Sequence, residues 1–230
     1  MGDFMDFFDL HCDTLTECMD DGDSLLKNER DIDFERGSIF GRWNQVFAVF
    51  VPDSMDDSLV EGYFDSACDF YFDELKKKGD VFPILSSEDV RGHSRGVMLA
   101  MESSRGVGSL ERLEKLYERG LRLITLTWNH KNRAAGGCDE GGGLTDWGRE
   151  LVSKMEKLGI VTDVSHLSDR SFYDLCEFSD APFIASHSDA RAVHNEVRSL
   201  TDDQIKRPSS WRCATPKASC WQASASSSSR

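Results

Sequence analysis

Short apolar runs rich in β-branched and aromatic residues recur along this chain, and each is followed by a stretch with helical periodicity. That alternation is the strongest constraint on the fold. Strands are expected near residues 7–13, 45–51, 97–102, 121–128, 160–166 and 182–188. Between them, Leu110, Leu113, Leu116 and Tyr117 line one helix face that Gly120 would end. Thr145 is placed to N-cap a helix whose stripe is Trp147, Leu151, Val152, Met155 and Leu158, closed by Gly159. Ser168 begins another, with Phe172, Leu175 and Cys176 turned inward. Strands that are apolar on both faces and alternate with helices belong to a parallel sheet covered by helices. Six such units favour an incomplete α/β barrel of the (β/α)8 type over a doubly wound sheet, although pattern alone leaves both open. The last two strand–helix units of a full barrel are then missing.

A functional consequence follows from the barrel. Its working residues should sit where strands end and βα loops begin. His11 and Asp13 end the first expected strand, Glu102 the third, His166 the fifth and His187 the sixth. In a regular strand His11 and Asp13 share a face while Leu10 and Cys12 share the other. Histidine and carboxylate side by side suit a borderline metal such as zinc. Four strands thus deliver metal-ligand residue types to one rim, which no single pair would establish. Taken singly, His166 and His187 each read more often as a satisfied structural histidine than as a ligand. Glu102 reads either as a carboxylate bridging two ions or as a loop-start residue in water. Asp163, on the opposite face from His166 in a regular strand, is expected to support the site from behind.

Other residues carry weaker signals. Trp128, Asn129, His130 and Asn132 are placed at a strand end for substrate contact or for rim packing. Arg198 suits a bidentate clamp on a substrate carboxylate, or is simply solvent-exposed. The run from Gly136 to Gly143 lacks the order of a phosphate-binding loop and is expected to be a flexible loop over the site.

Composition narrows the partners. With 27 Lys and Arg against 41 Asp and Glu, the net charge is −14, which argues against nucleic-acid or anionic-membrane binding. No stretch approaches a membrane span, and the first residues resemble neither a signal peptide nor a myristoylation site. Seven scattered cysteines without a CxxC pair read as reduced thiols in a cytoplasmic protein. The domain is expected to span residues 1–206. Residues 207–230 contain no Leu, Ile, Val, Met, Phe or acidic residue, so a disordered Ser-rich tail is expected there. Because that change falls just after Thr201-Asp202-Asp203-Gln204, an N-cap and first helical turn, a frameshift or truncation is the expected origin.

In order along the chain, His11-Cys12-Asp13-Thr14, Met101-Glu102, Leu126-Thr127-Trp128-Asn129, Gly143-Leu144-Thr145, Asp163-Val164-Ser165-His166, Ala185-Ser186-His187-Ser188 and Arg198-Ser199-Leu200-Thr201-Asp202 resemble the membrane (renal) dipeptidase family. The resemblance runs from about Phe8 to Lys206. It implies an amidohydrolase-like (β/α)8 barrel that cleaves dipeptides with two zinc ions. His11 and Asp13 would hold one ion, His166 and His187 the other, and Glu102 would bridge them. Arg198 would bind the substrate's carboxylate. Two departures stand out. Trp128 occupies a position where the family often has a histidine, with His130 close by but offset. The aspartate that the family places at its last barrel strand, as general base, has no counterpart after Lys206. Little activity is therefore expected of this chain alone. A metal-dependent amidohydrolase acting on a lactam or cyclic amide, and a non-catalytic truncated product, are the alternatives; a homodimer is left open.

Overall fold

A computed structural model describes residues 5–207. In chain order the elements are β1 (Asp6–Asp9), α1 (Thr14–Asp21), α2 (Phe34–Gly37), β2 (Arg42–Phe50), α3 (Asp57–Lys78), β3 (Phe82–Pro83), α4 (Asp89–Gly92) and β4 (Arg95–Glu102). A short 3-10 turn at Ser104–Val107 follows, then α5 (Leu110–Glu118), β5 (Leu121–Thr125), α6 (Asp146–Leu158), β6 (Val161–Asp163), α7 (Asp169–Phe178), β7 (Phe183–Ile184) and α8 (Asp202–Lys206). The strands form one parallel sheet in the order β1-β2-β4-β5-β6-β7, with β3 beside the start of β4. This is the incomplete α/β barrel, a half-barrel with helices on its outer face.

Alternation along the two longest strands builds two separate cores. Phe47, Val49, Val97, Leu99 and Met101 face outward and join Leu15, Phe64, Tyr71, Leu113, Leu151, Met155 and Phe172 from the helices. Val46, Ala48, Met98 and Ala100 face inward and meet Ile84 and Leu123 in a smaller cluster. Glu102 continues the inner-face sequence of Met98 and Ala100, so the alternation that buries the core also aims this carboxylate at the barrel's mouth.

Helix boundaries agree with the capping signals. Thr145 accepts from the Gly148 N–H and Ser168 from the Ser171 N–H, while Gly159 closes α6 in the left-handed conformation. Thr201 and Gln204 form a reciprocal capping box at the start of α8. Of the Ser-rich stretch 207–230, all but Arg207 lies outside the described residues. The five described cysteines are free.

Strand ends differ from expectation. β1 stops at Asp9, and Leu10 packs on the inner cluster while Cys12 packs on the outer one. The regular two-residue alternation therefore breaks between them, even though Cys12 rejoins β2 through bonds to the Val46 carbonyl and the Ala48 N–H. β6 and β7 end early for a chemical reason. Asp163 Oδ1 accepts the backbone N–H groups of both Ser165 and Ser186, at 3.0 Å each, and so draws them out of the ladder.

Candidate metal centre

At the C-terminal rim, side chains from four strand ends converge. Glu102 is 2% exposed and sits among three histidines. Its Oε1 lies 3.0 Å from His166 Nε2 and 3.3 Å from His187 Nε2, and its Oε2 lies 3.6 Å from His11 Nε2. Asp13 approaches from the start of α1, with Oδ1 3.4 Å from His11 Nε2. His166 and His187 bring their Nε2 atoms within 2.9 Å of each other, and the rings of His11 and His187 stack at 3.7 Å. All five residues expected to be ligands meet at one place. Glu102 is no loop residue in water.

Electrostatics follow from that crowding. Burial alone would raise the Glu102 carboxyl, but the approach of His166 and His187 and the charge of His11 hold it well below the usual carboxylate range. Burial lowers the His166 ring's pKa, which contact with Glu102 opposes and Arg198 reinforces. At His11 burial also works against the charged form, and Asp13 and Glu102 outweigh it to raise the pKa.

The donor set fits a divalent cation. His11, Glu102 and His187 place one ligand atom each within 4.8 Å of one another. His11 Nδ1 and Asp13 Oδ1 are buried without a hydrogen-bond partner among the described residues, a costly state for polar atoms with nothing to compensate them. Imidazole nitrogens and carboxylate oxygens of this number are ordinary zinc ligands.

Supporting contacts explain how these side chains are held. Asn129 Oδ1 lies 2.8 Å from His166 Nδ1, a contact across 37 residues that makes Asn129 a ring-orienting group. The His166 carbonyl accepts from Thr127 Oγ1 and from the Cys138 N–H. His166 adopts φ +68°, as Ser103 beside Glu102 adopts φ +76°; such strain in non-glycine residues concentrates at functional sites. Asp163 is fully buried and also accepts from the hydroxyls of Thr125 and Ser186, consistent with the supporting place expected for it. The sequence reading missed the roles of Asn129 and Ser186. The repeated Ser-His at two strand ends was the available signal for the latter.

The glycine loop is a correction. It is no flexible cover but a tied segment: Gly136 N–H bonds to the Gly143 carbonyl, Gly137 bridges Leu167, and Ser168 and Ser171 hydroxyls bond the carbonyls of Gly142 and Gly136. A Cβ at Gly137 would collide with the carbonyl oxygens of Asn129 and His130. These glycines serve close backbone approach, which composition alone does not separate from flexibility.

The remaining candidates divide. Trp128 lies beside the cluster, its ring 6.2 Å from His166 and edge-on to Phe50. Arg198 is held against the site by bonds from Nη1 to Ser188 Oγ (2.9 Å) and from Nη2 to the His187 carbonyl (2.8 Å). Burial lowers its pKa, opposed by the acidic groups Cys138, Asp163 and Glu102. His130 is exposed and turned away, with Nδ1 2.7 Å from Asp53 Oδ2. It lines a neighbouring cavity of about 770 Å³ together with Asp53, Arg105, Asn132, Arg133 and Trp147. Asn132 instead binds the Leu126 carbonyl. Among the described residues no helix is long and apolar enough to cross a membrane.

A half-barrel whose strand ends gather three histidines and two carboxylates has the donor set of a metal-binding barrel. Residues 3–209 match the model of the membrane dipeptidase family (peptidase family M19), and the chain belongs to that family. Two curated relatives carry no assigned activity. A protein in the PQQ-III 3′ region of Acinetobacter calcoaceticus is 31% identical over 129 residues, covering 52% of this chain and 41% of that protein. One in the pqqA 5′ region of Klebsiella pneumoniae is 32% identical over 135 residues, covering 53% and 50%. The matched region thus spans about half the length of these relatives. Among solved structures, the dipeptidase AC, a metallo peptidase, superposes with TM-score 0.80 at 24% identity, covering 89% of this chain and 69% of its own. A metallo peptidase from Rhodobacter sphaeroides liganded with a phosphinate mimic of the dipeptide L-Ala-D-Ala gives TM-score 0.79 at 22% identity, covering 90% and 71%.

Proposed function

We propose that this chain carries the metal centre of a zinc-dependent dipeptidase. The carrying observation is the convergence of His11, Asp13, Glu102, His166 and His187 on one rim. In this reading His11 and Asp13 would hold one ion and His166 and His187 a second, with Glu102 as the carboxylate that would serve both. Such a pair would lower the pKa of an attacking water and polarise the scissile carbonyl.

The chain's own residues do the rest. Glu102, unable to donate when ionised, keeps both oxygens available to cations. Asn129 fixes the His166 ring. Arg198 spends two of its N–H groups on Ser188 and His187, which leaves the others free to engage the terminal carboxylate of a short peptide. Trp128 forms an apolar wall beside His166. His130, paired with Asp53, would act at the outer margin of the substrate path. Among the described residues the carboxylates in the cluster are Asp13 and Glu102, so the separate proton-shuttling aspartate implied by the resemblance is not supplied there. General acid–base assistance is worth roughly 10²–10⁴ in rate. Turnover by the 230-residue chain is therefore expected to be weak.

The test is to load the purified chain with zinc, count bound metal, and assay dipeptides beside lactams and cyclic amides. About two ions per chain, lost in His187→Ala, with any turnover confined to dipeptides, supports the reading. No bound metal, or turnover of lactams alone, overturns it.

A further inference from the structure

Ser186 stands between the buried Asp163 and the half-buried His187. Its Oγ lies 2.6 Å from Asp163 Oδ2 and 2.7 Å from His187 Nδ1. The direction of these bonds is constrained by Asp163. An ionised carboxylate only accepts, and this one already accepts from the N–H groups of Ser165 and Ser186 and from the Thr125 hydroxyl. The Ser186 hydroxyl hydrogen is thereby committed to Asp163. Its lone pairs are what His187 Nδ1 meets, so Nδ1 must carry the hydrogen. In a neutral ring Nε2 is then the bare nitrogen, and it is Nε2 that points at Glu102 Oε1 and His166.

We infer that Ser186, anchored by Asp163, is a positioning residue that fixes the neutral His187 ring as the Nδ1–H tautomer and so presents Nε2 as a metal ligand. A partner on the non-ligating nitrogen commonly sets tautomer and orientation, and its loss costs about 10- to 100-fold in metal affinity. Here a hydroxyl is interposed between carboxylate and ring. The reason is geometric: the same carboxylate is occupied in terminating both β6 and β7, and Ser186 extends its reach by one hydroxyl. The arrangement ties the ends of two neighbouring strands to the orientation of one ligand. The metal part of this inference rests on the function proposed above; the tautomer part does not.

The 230-residue chain without metal, labelled with nitrogen-15 and held near pH 8, above the ordinary histidine range, should show His187 with a protonated Nδ1 and a bare Nε2. Ser186→Ala should release that preference and weaken zinc or cobalt(II) binding about 10- to 100-fold. Ser186→Thr, which keeps the hydroxyl, should restore both. A parent protein with His187 protonated at Nε2 overturns the inference without recourse to any variant. So does a folded Ser186→Ala protein that keeps both the parent tautomer and the parent affinity. If the parent chain binds no metal, the dipeptidase reading fails, while the tautomer measurement still decides the role of Ser186.

Discussion

The Nε2 atoms of His166 and His187 face each other across 2.9 Å, and both lie against Glu102 Oε1. Two bare ring nitrogens at that distance repel; a shared proton or a cation makes the contact favourable. The buried carboxylate beneath them supplies the matching negative charge. Nothing in packing alone requires three histidines at one end of a sheet.

Glu102→Gln removes that charge while keeping the shape. Zinc at one hundred times its dissociation constant should stabilise the parent by about 2.7 kcal/mol. In the variant the zinc-induced rise in melting temperature should fall close to zero, because a neutral amide is a poor partner for a cation among histidines. Thermal melts with and without zinc check this; an undiminished rise in the variant would place the ion elsewhere.

Gly137 is pinned by the carbonyls of Asn129 and His130, whereas Gly62, in the second turn of α3, has nothing within 4 Å of a Cβ. Alanine should therefore have opposite effects at the two sites. Gly137→Ala should cost about 1–3 kcal/mol through steric conflict, and Gly62→Ala should add about 0.5–1 kcal/mol through helix propensity. Urea titration of both proteins measures the contrast. Faster amide exchange at Cys138 in Gly137→Ala would show that the bond onto the His166 carbonyl has loosened with it.

The fold was legible wherever one local signal decided the structure. Val46 to Val49 in β2 and Val97 to Met101 in β4 are apolar runs buried on both faces, and the caps Thr145, Ser168 and Thr201 bond within three residues of themselves. The cluster of His11, Asp13, Glu102, His166 and His187 was legible because strand ends are where a barrel gathers its polar side chains. What escaped the reading is non-local. Asn129 and His166 are 37 residues apart, and nothing in either neighbourhood announces the contact. The early ends of β6 and β7 depend on one carboxylate reaching two chains. The glycine loop was misjudged because a glycine needed for close approach and a glycine that confers mobility are the same letter.

His130 and Asp53 form a pair on the rim, apart from the histidine–carboxylate cluster. The hydrogen bond to Asp53 raises the His130 pKa above the ordinary histidine value, against a smaller opposing effect of burial. A raised folded-state pKa means the pair's stabilisation is present below the unfolded value and is lost as pH rises through the folded one. Proton NMR titration should place His130 above a free histidine, and Asp53→Asn should return it toward that value. Zinc affinity should not change. An affinity that fell with Asp53→Asn would draw His130 into the metal site after all.

Ala100 links the inner core to the histidine–carboxylate cluster. It pairs with Ala48 across β2 and β4, both about 1% exposed, and it lies two residues before Glu102 on the same face. The inner cluster of Val46, Ala48, Ile84, Met98, Ala100 and Leu123 is buried throughout. Ala100→Leu should therefore overpack it and cost about 1–3 kcal/mol. The strain should also reach Glu102, since close-packed interiors transmit displacement rather than absorb it. Zinc affinity should fall along with stability. Leu→Ala at the exposed Leu59 should leave both unchanged, which separates a route through the inner face from a general loss of fold.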